Sequence, residues 1–549
     1  MPNSRGHIAR NARALATRAV VALSLGLSVT AVAACDACQP KDTKVVAPAD
    51  EKPTVRLYLV SDLAGALEPC GCVKDQLGGM DHFGALVRAE EARAPAYATV
   101  TAGPTFFMDP DLDAQKKSQD VAKAETIADA LASVRLAAFA PARNEWANGP
   151  QTLETITKKS GAAFLFANAS GATTARATVK EIGGVKVGFV GVSSPSKARE
   201  GKPLEAVKDG PLAEAVTAGL AELEKQGADV TVLLASVGRG EAKRLADQFP
   251  KLLAILVGSP GGAGEANTQA PPAEQVGNVL IVETGNHLQT VGVLDLHVRE
   301  KSFTFADGTG LEVLRKREAL AVRIDELRKK IATWEADPTV AKVDVDARRQ
   351  ELQKLERERE GLEKTAPPSK GSFYRFAMRE IRTSLGNDAQ MSGKLSGYYK
   401  RVNEENKLAF ASRLPPAAGK DDATYVGVDA CTKCHEDARK VWDGTAHAHA
   451  YKTLSDQFKE FNLDCVSCHV TGYEKPGGST ITHVELLKNV QCEVCHGPGS
   501  KHERSPKVAM PVPRPQADTC TACHHPPHVH EFDGASKMNL ILGKGHGRK

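Results

Sequence analysis

The chain has 549 residues, of which 42% are hydrophobic and 25% charged, with a formal net charge of +4. That is enough polypeptide for about three domains, and the composition is that of a globular protein, which excludes disorder as the default. The charge balance gives no basic signature for nucleic acid, and no internal apolar run is long enough to span a bilayer.

Residues 1–34 carry Arg5, Arg10, Arg13 and Arg18, no acidic residue, and an apolar stretch over 19–34. That layout is an export signal, not a structural helix. It ends in Val32-Ala33-Ala34-Cys35, which resembles a bacterial lipobox. Cys35 is therefore expected to be lipidated and to become the new amino terminus, holding the chain at a bacterial membrane in the periplasm or cell envelope. The alternative is an ordinary cleavable signal with a chance cysteine. Residues 35–54, rich in Pro, Lys, Ala and Asp, read as a tether.

Residues 55–305 alternate strand-like and helix-like patterns, the mark of an α/β layered domain. Strands are expected at 55–60, 96–102, 162–167, 185–192, 230–235 and 252–257, with amphipathic helices at 122–134 and 211–225. Gly183-Gly184 between two apolar runs reads as a hairpin turn. Over 311–365, Leu320, Ile324, Leu327, Ile331 and Trp334, then Leu352, Leu355 and Leu362, form a helical stripe interrupted at Asp337-Pro338. An antiparallel helical hairpin with a charged outer face follows, most simply a spacer. Ala366-Pro367-Pro368 ends it. The segment 366–413 reads as a strand (372–377) and a helix (388–403) that pack back on the preceding parts. A Pro-rich linker at 414–419 leads into a last domain at 425–549.

That last domain holds four Cys-x-x-Cys-His motifs: Cys431/Cys434/His435, Cys465/Cys468/His469, Cys492/Cys495/His496 and Cys520/Cys523/His524. Each reads as one covalently attached c-type haem, four haem c in all, with the histidine as proximal iron ligand. Two thiols three positions apart lie one helical turn apart and can both reach the porphyrin edge. Zinc uses Cys-x-x-Cys pairs too, but has no need of a histidine after every pair. The domain has little aliphatic density, as expected if haem is its core. Of the sixteen histidines, twelve lie from His435 onward; eight of these (His447, His449, His483, His502, His525, His528, His530 and His546) are spare, against only Met510 and Met538. His/His ligation and low-potential haems follow. Twelve cysteines less eight for haem and Cys35 leave Cys38, Cys70 and Cys72, either a functional thiol pair at Cys70-Gly71-Cys72 or structural disulfides.

Two resemblances add to this. The runs Tyr425-Val426-Gly427, Trp442 to Leu454, Cys465 to Tyr473 and Val490 to His502 resemble the cytochrome c-554-type tetrahaem domain over 425–530. The resemblance implies closely packed haems passing electrons between periplasmic partners. It favours His447 and His502 as distal ligands, with His483 and His528 or His530 behind them, and allows for one haem without a sixth ligand. Val60-Ser61-Asp62-Leu63-Ala64-Gly65, Leu67-Glu68-Pro69-Cys70-Gly71-Cys72, Gln76-Leu77-Gly78-Gly79 and Val282-Glu283-Thr284-Gly285-Asn286 resemble the calcineurin-like metallophosphatases of the periplasmic 5′-nucleotidase type. That family holds two metals with Asp, His and Asn side chains. Here Ala64 stands where a His is expected, Ala102-Gly103-Pro104 replaces the Gly-Asp step, and Glu145 takes the His position after Asn144. Ala235-Ser236-Val237-Gly238 and Gly258-Ser259-Pro260-Gly261 also lack their histidines. Asp62, Asn144 and Glu145 do not make a two-metal site.

The expected architecture is thus an α/β layered metallophosphatase-like domain, an α-helical hairpin and a mostly α/irregular multihaem cytochrome c domain. The expected function is electron relay between periplasmic or membrane redox partners, with the first domain a catalytically inactive docking module, a lipid-anchored location and no nucleic-acid partner. The alternatives are an enzyme (a metal-dependent phosphoesterase, or a haem reductase of small nitrogen compounds) and a scaffold with structural haems.

Overall fold

Strand 55–61 is apolar on both faces, and this decides the architecture. Leu57 and Leu59 point one way, and Tyr58 and Val60 the other, all of them buried. A strand buried on both faces belongs inside a layered fold. The computed structural model shows why. It describes residues 51–548, apart from 70–75, 171–173, 199–203, 205–206, 263, 265, 363–367, 526–528 and 530–531. The expectations placed on the export signal, Cys35, Cys38, Cys70, Cys72, the tether up to residue 50, the 366–367 break, His528 and His530 lie outside those residues.

A seven-stranded sheet runs in the order 305–307, 372–380, 290–297, 55–61, 97–102, 136–140, 163–164. A six-stranded sheet runs 274–276, 279–282, 254–258, 230–236, 185–193, 177–182. Leu57, Leu59, Val100 and Leu294 of the first sheet pack on Val187, Phe189, Val232, Leu234 and Leu256 of the second. Helices Met80–Glu91, Lys117–Ser133 and Ala389–Ala409 cover the outer face of the first sheet, burying Tyr58, Phe83, Ile127, Leu131, Met391 and Tyr398. Helices Leu212–Gln226 and Arg239–Gln248 cover the second over Val190, Leu233 and Ile255. The result is helix, sheet, sheet, helix.

Local chemistry sets the boundaries. Gly183 and Gly184, both at positive φ, turn the chain between antiparallel strands 177–182 and 185–193. Gly227 at φ +71 stops the Leu212–Gln226 helix. Asp388 accepts from Met391 N at 2.8 Å and starts the Ala389–Ala409 helix. Strand 372–380 inserts between 290–297 and 305–307, so the chain after the hairpin returns to the first sheet.

The hairpin is Leu311–Glu335 and Lys342–Gly361. Ile324, Leu327, Ile331, Val345 and Leu355 form its own small core. Arg323–Glu351 at 3.1 Å and Arg328–Glu356 at 2.6 Å join the two helices outside it. The carboxy-terminal region has short helices and one small apolar cluster of its own: Leu463, Val466, Val470, Ile481 and Val484. Among the described residues no helix is long and apolar enough to cross a membrane.

Candidate haem-binding sites

The first three motifs lie on or directly after short α-helices, Val428–Thr432, Val466–His469 and Cys492–His496; the fourth lies on a 3-10 turn, Ala517–Ala522. Glu493, inside the third motif, is 1% exposed. Its carboxylate accepts from Val426 N at 3.0 Å, Gly427 N at 2.8 Å and Gly499 N at 2.7 Å, tying the first motif to the third. Gln491 accepts from Val428 N at 2.7 Å and donates to Leu486 O and Lys488 O. These buried polar groups replace an aliphatic core as the local skeleton.

The eight motif cysteines are not equally sheltered. Seven of them are half-buried, while Cys434 is exposed. The physical reason is local. The helix Val428–Thr432 ends at Lys433, and Cys434 follows on a turn whose N–H donates to Cys431 O at 3.2 Å. Cys431 sits on the helix and turns inward towards Cys492, whereas Cys434 lies past the helix end, on the solvent side of the same motif.

The histidines meet in pairs. His435 and His502 have ring centroids 6.2 Å apart, as do His447 and His524, and His496 and His546. Two metal–imidazole bonds of about 2 Å, plus the span from each nitrogen to its ring centre, come to roughly 6 Å. Each pair therefore fits an iron between its rings, one histidine from a motif and one from elsewhere. Haem bound there supplies one-electron chemistry at its iron. Hydrogen bonds orient the rings: His469 Nδ1 faces Ala450 O at 2.6 Å, His496 Nδ1 faces Val512 O at 2.9 Å, His502 Nδ1 faces Val508 O at 2.6 Å and His546 Nδ1 faces Ile541 O at 2.8 Å. An Nδ1–H donated to a carbonyl leaves Nε2 bare for a metal. Burial lowers the His447, His496 and His524 pKa values, which keeps those rings neutral, the form a metal takes.

The thiols of different motifs also approach one another. Cys431 lies beside Cys492, and Cys468 lies beside Cys523. Cys495 lies within Coulombic reach of Cys520. His447 and His502 thus stand opposite motif histidines. His483 instead places Nδ1 by the hydroxyls of Thr480 and Thr482 at 3.4 and 3.2 Å. His546 is one of the eight spare histidines but not one that the resemblance favours; only its place opposite His496 sets it apart.

In the first domain, Asp62 follows strand 55–61 and Asn144 and Glu145 follow strand 136–140, and each is engaged in hydrogen bonds to the backbone. Asp62 Oδ1 accepts from Ser259 N at 2.8 Å. Asn144 donates to Met108 O at 2.7 Å and Gly262 O at 3.0 Å, and accepts from Gly262 N at 3.0 Å. Glu145 accepts from Thr105 N at 2.7 Å, Phe106 N at 3.2 Å and Ala142 N at 2.6 Å. Ser236 Oγ donates to Ala140 O and accepts from Gly103 N at 2.7 Å. Burial raises both Asp62 and Glu145 to about 7. Space is equally short: a Cβ on Gly103, at φ +86, would lie 1.8 Å from Asp62 Oδ1, and one on Gly258 would lie 2.3 Å from Gly103 N. Asp62 and Ala64 keep positive φ values of 45° and 48°, a costly conformation for side chains with a Cβ. Among the described residues no group of three or more His, Cys, Asp or Glu is placed to hold a metal. A two-metal centre does not fit these residues.

Residues 430–497 match the family model for cytochrome c554 and c-prime. Cytochrome c-554 of Nitrosomonas europaea is 32% identical over 137 residues, 19% of this chain and 58% of that protein. The chain thus spans little more than half the length of this curated relative. The first domain is similar to solved phosphoesterase structures. For the 5′-nucleotidase precursor of Thermus thermophilus the TM-score is 0.43 and the identity 18%, covering 73% of this chain and 68% of that one. For the calcineurin-like phosphoesterase YfkN of Bacillus subtilis they are 0.37 and 17%, covering 45% and 85%. The carboxy-terminal region resembles cytochrome c-554 and bears the motifs of covalently bound haem c, and it follows an α/β domain similar in fold to the calcineurin-like phosphoesterases and 5′-nucleotidases.

Proposed function

We propose that the chain is an exported, lipid-anchored c-type cytochrome carrying four haems, which relays electrons between redox partners in the periplasm or at a membrane. The single observation that carries this reading is the set of three histidine pairs at 6.2 Å, each with one member from a Cys-x-x-Cys-His motif. The chain's part is to hold an imidazole on each face of three haems, with His435, His496 and His524 proximal and His502, His546 and His447 distal. The thiol contacts support a relay order of first, third, fourth and second motif. The first domain acts as a docking module without phosphatase chemistry, because its surviving ligand residues are spent on backbone hydrogen bonds.

The test is a redox titration of purified protein, followed optically and by paramagnetic resonance, with the intact mass measured alongside. The reading expects four covalent haems and reversible reduction of all of them; a colourless chain or a mass without haem overturns it. A Cys35→Ala variant that stays with the membrane fraction removes the lipid anchor from the reading. Metal-loaded protein should release no phosphate from nucleotides, and Asp62→Ala should behave like the parent.

A second reading, reduction of small nitrogen compounds, requires one haem without a sixth ligand, which the resemblance to cytochrome c-554 allows. A high-spin ferric signal that binds cyanide or nitric oxide would support it, and a uniformly low-spin spectrum would remove it.

A further inference from the structure

The loop leading into the second motif is clamped to the α/β domain by charge. Asp464, the residue before Cys465, accepts from Lys116 Nζ at 3.0 Å, Lys123 Nζ at 2.7 Å and Gln119 Nε2 at 3.1 Å. Gln119 Oε1 accepts from Leu463 N at 3.0 Å and from Asn406 Nδ2 at 3.1 Å. Asn406 Nδ2 also donates to Phe461 O at 2.8 Å. A second latch lies beside the first: Lys459 donates to Glu68 and sits 4.4 Å over the Tyr399 ring. Asp120 lies 3.8 Å from Lys123.

Three cations (Lys116, Lys123 and Lys459) thus face three anions (Asp120, Asp464 and Glu68). All but Lys459 and Asp464 come from the α/β domain. Asp464 directly precedes Cys465, so the cluster stands beside the second motif. Gln119 and Lys459 are buried and the Lys123 side chain is 19% exposed, so water screens these charges poorly.

We propose that the α/β domain is an electrostatic tuning element for the second centre: Lys116 and Lys123, held against Asp464, position the Cys465–Cys468–His469 haem and set its reduction potential. The proposal rests on the haem-relay reading above. A carboxylate near the ring favours the oxidised iron, which carries one more positive charge, and an ammonium favours the reduced iron. With the charges balanced, neutralising one side tilts the equilibrium one way and neutralising the other tilts it back. Loosening the domain contact has a different signature. It lets water reach the same haem whichever partner is lost, so every variant shifts in the same direction.

The experiment uses full-length haem-loaded protein with Asp464→Asn, Asp464→Glu and Lys123→Met. The second centre is identified as the one whose potential moves in His469→Met. Asp464→Asn should favour reduction by up to about tenfold, about 59 mV for one electron. Lys123→Met should shift the same centre the opposite way, and Asp464→Glu should stay near the parent. Lys116→Met, at a more exposed position, serves in place of Lys123→Met if the latter does not fold. Shifts of one sign in both charge variants, or no shift in either, overturn the proposal. A preparation whose mass is one haem short in the parent overturns the relay reading instead.

Discussion

Glu493 shows how single residues carry this molecule. A carboxylate inside a haem motif takes three backbone N–H groups from the strand-like entry and the turn after the motif. Nothing in Cys-Glu-Val-Cys-His announces that role. The covalent motifs themselves are legible because five adjacent residues carry the chemistry, whereas distal ligands come from anywhere the fold delivers them. How deeply each thiol lies is not legible in the same way: Cys431 and Cys434 share one motif, yet the helix end between them leaves only the second exposed. His502 and His447 were distinguishable by the residues around them, while His546, near the end of the chain, became distinguishable only by its distance to His496. Replacing His502, His447 or His546 by Ala should each convert one low-spin ferric signal into a high-spin one, and His483→Ala should leave the spectrum unchanged; paramagnetic resonance checks all four. Asp62 supplies a prediction about pH. Burial raises its carboxyl to about 7 from 3.8, so the folded state binds more protons than the unfolded chain between those values. Its contribution to stability is whole at low pH and falls as pH rises towards 7. Asp62→Asn should flatten that slope and stabilise the α/β domain at pH 8 by on the order of 2 kcal/mol, with little effect at pH 4, measured by urea unfolding.

Elements differ in how openly they announce themselves. The hairpin stripe of Ile324, Leu327 and Ile331 is local, periodic and buried, so the pattern alone places its first helix. Strand 136–140 was not expected, because Leu136-Ala137-Ala138-Phe139-Ala140 has low intrinsic strand preference and owes its state to strand 97–102 beside it. The 162–167 run joins the sheet only over Ala163–Phe164, at its edge, with Leu165 bridged to Ala175, and the chain after Val282 leaves the six-stranded sheet as a loop before entering the seven-stranded one as strand 290–297. Sheet pairing is non-local, and the sequence carries only half of it. The hairpin's core is small and separate, so damage there should stay there. Ile324→Ala, at a position 1% exposed, should destabilise the hairpin by about 2–4 kcal/mol, seen as faster hydrogen exchange over 311–361 with the sheets unchanged.

On the scale of the whole molecule, apolar burial is unevenly shared. The α/β domain has three extensive apolar clusters; the carboxy-terminal region has one of five residues. The layered fold class was readable from alternating patterns, and the sparse aliphatic content after residue 425 was readable as a domain waiting for a prosthetic core. Expressed without haem maturation, residues 425–548 should be cleaved by trypsin within minutes while the 55–305 sheets resist, which limited proteolysis with mass analysis would check. The two halves also differ in how closely backbone meets backbone. In the first, Gly103 and Gly258 bring two strand ends together with no room for a side chain between them. A carboxylate placed at Gly103 meets Asp62, and an imidazole placed at Gly258 meets main chain. The seam between these strand ends is thus closed by the two residues that have no side chain, and any substitution at either has to force the strands apart before it can do anything else.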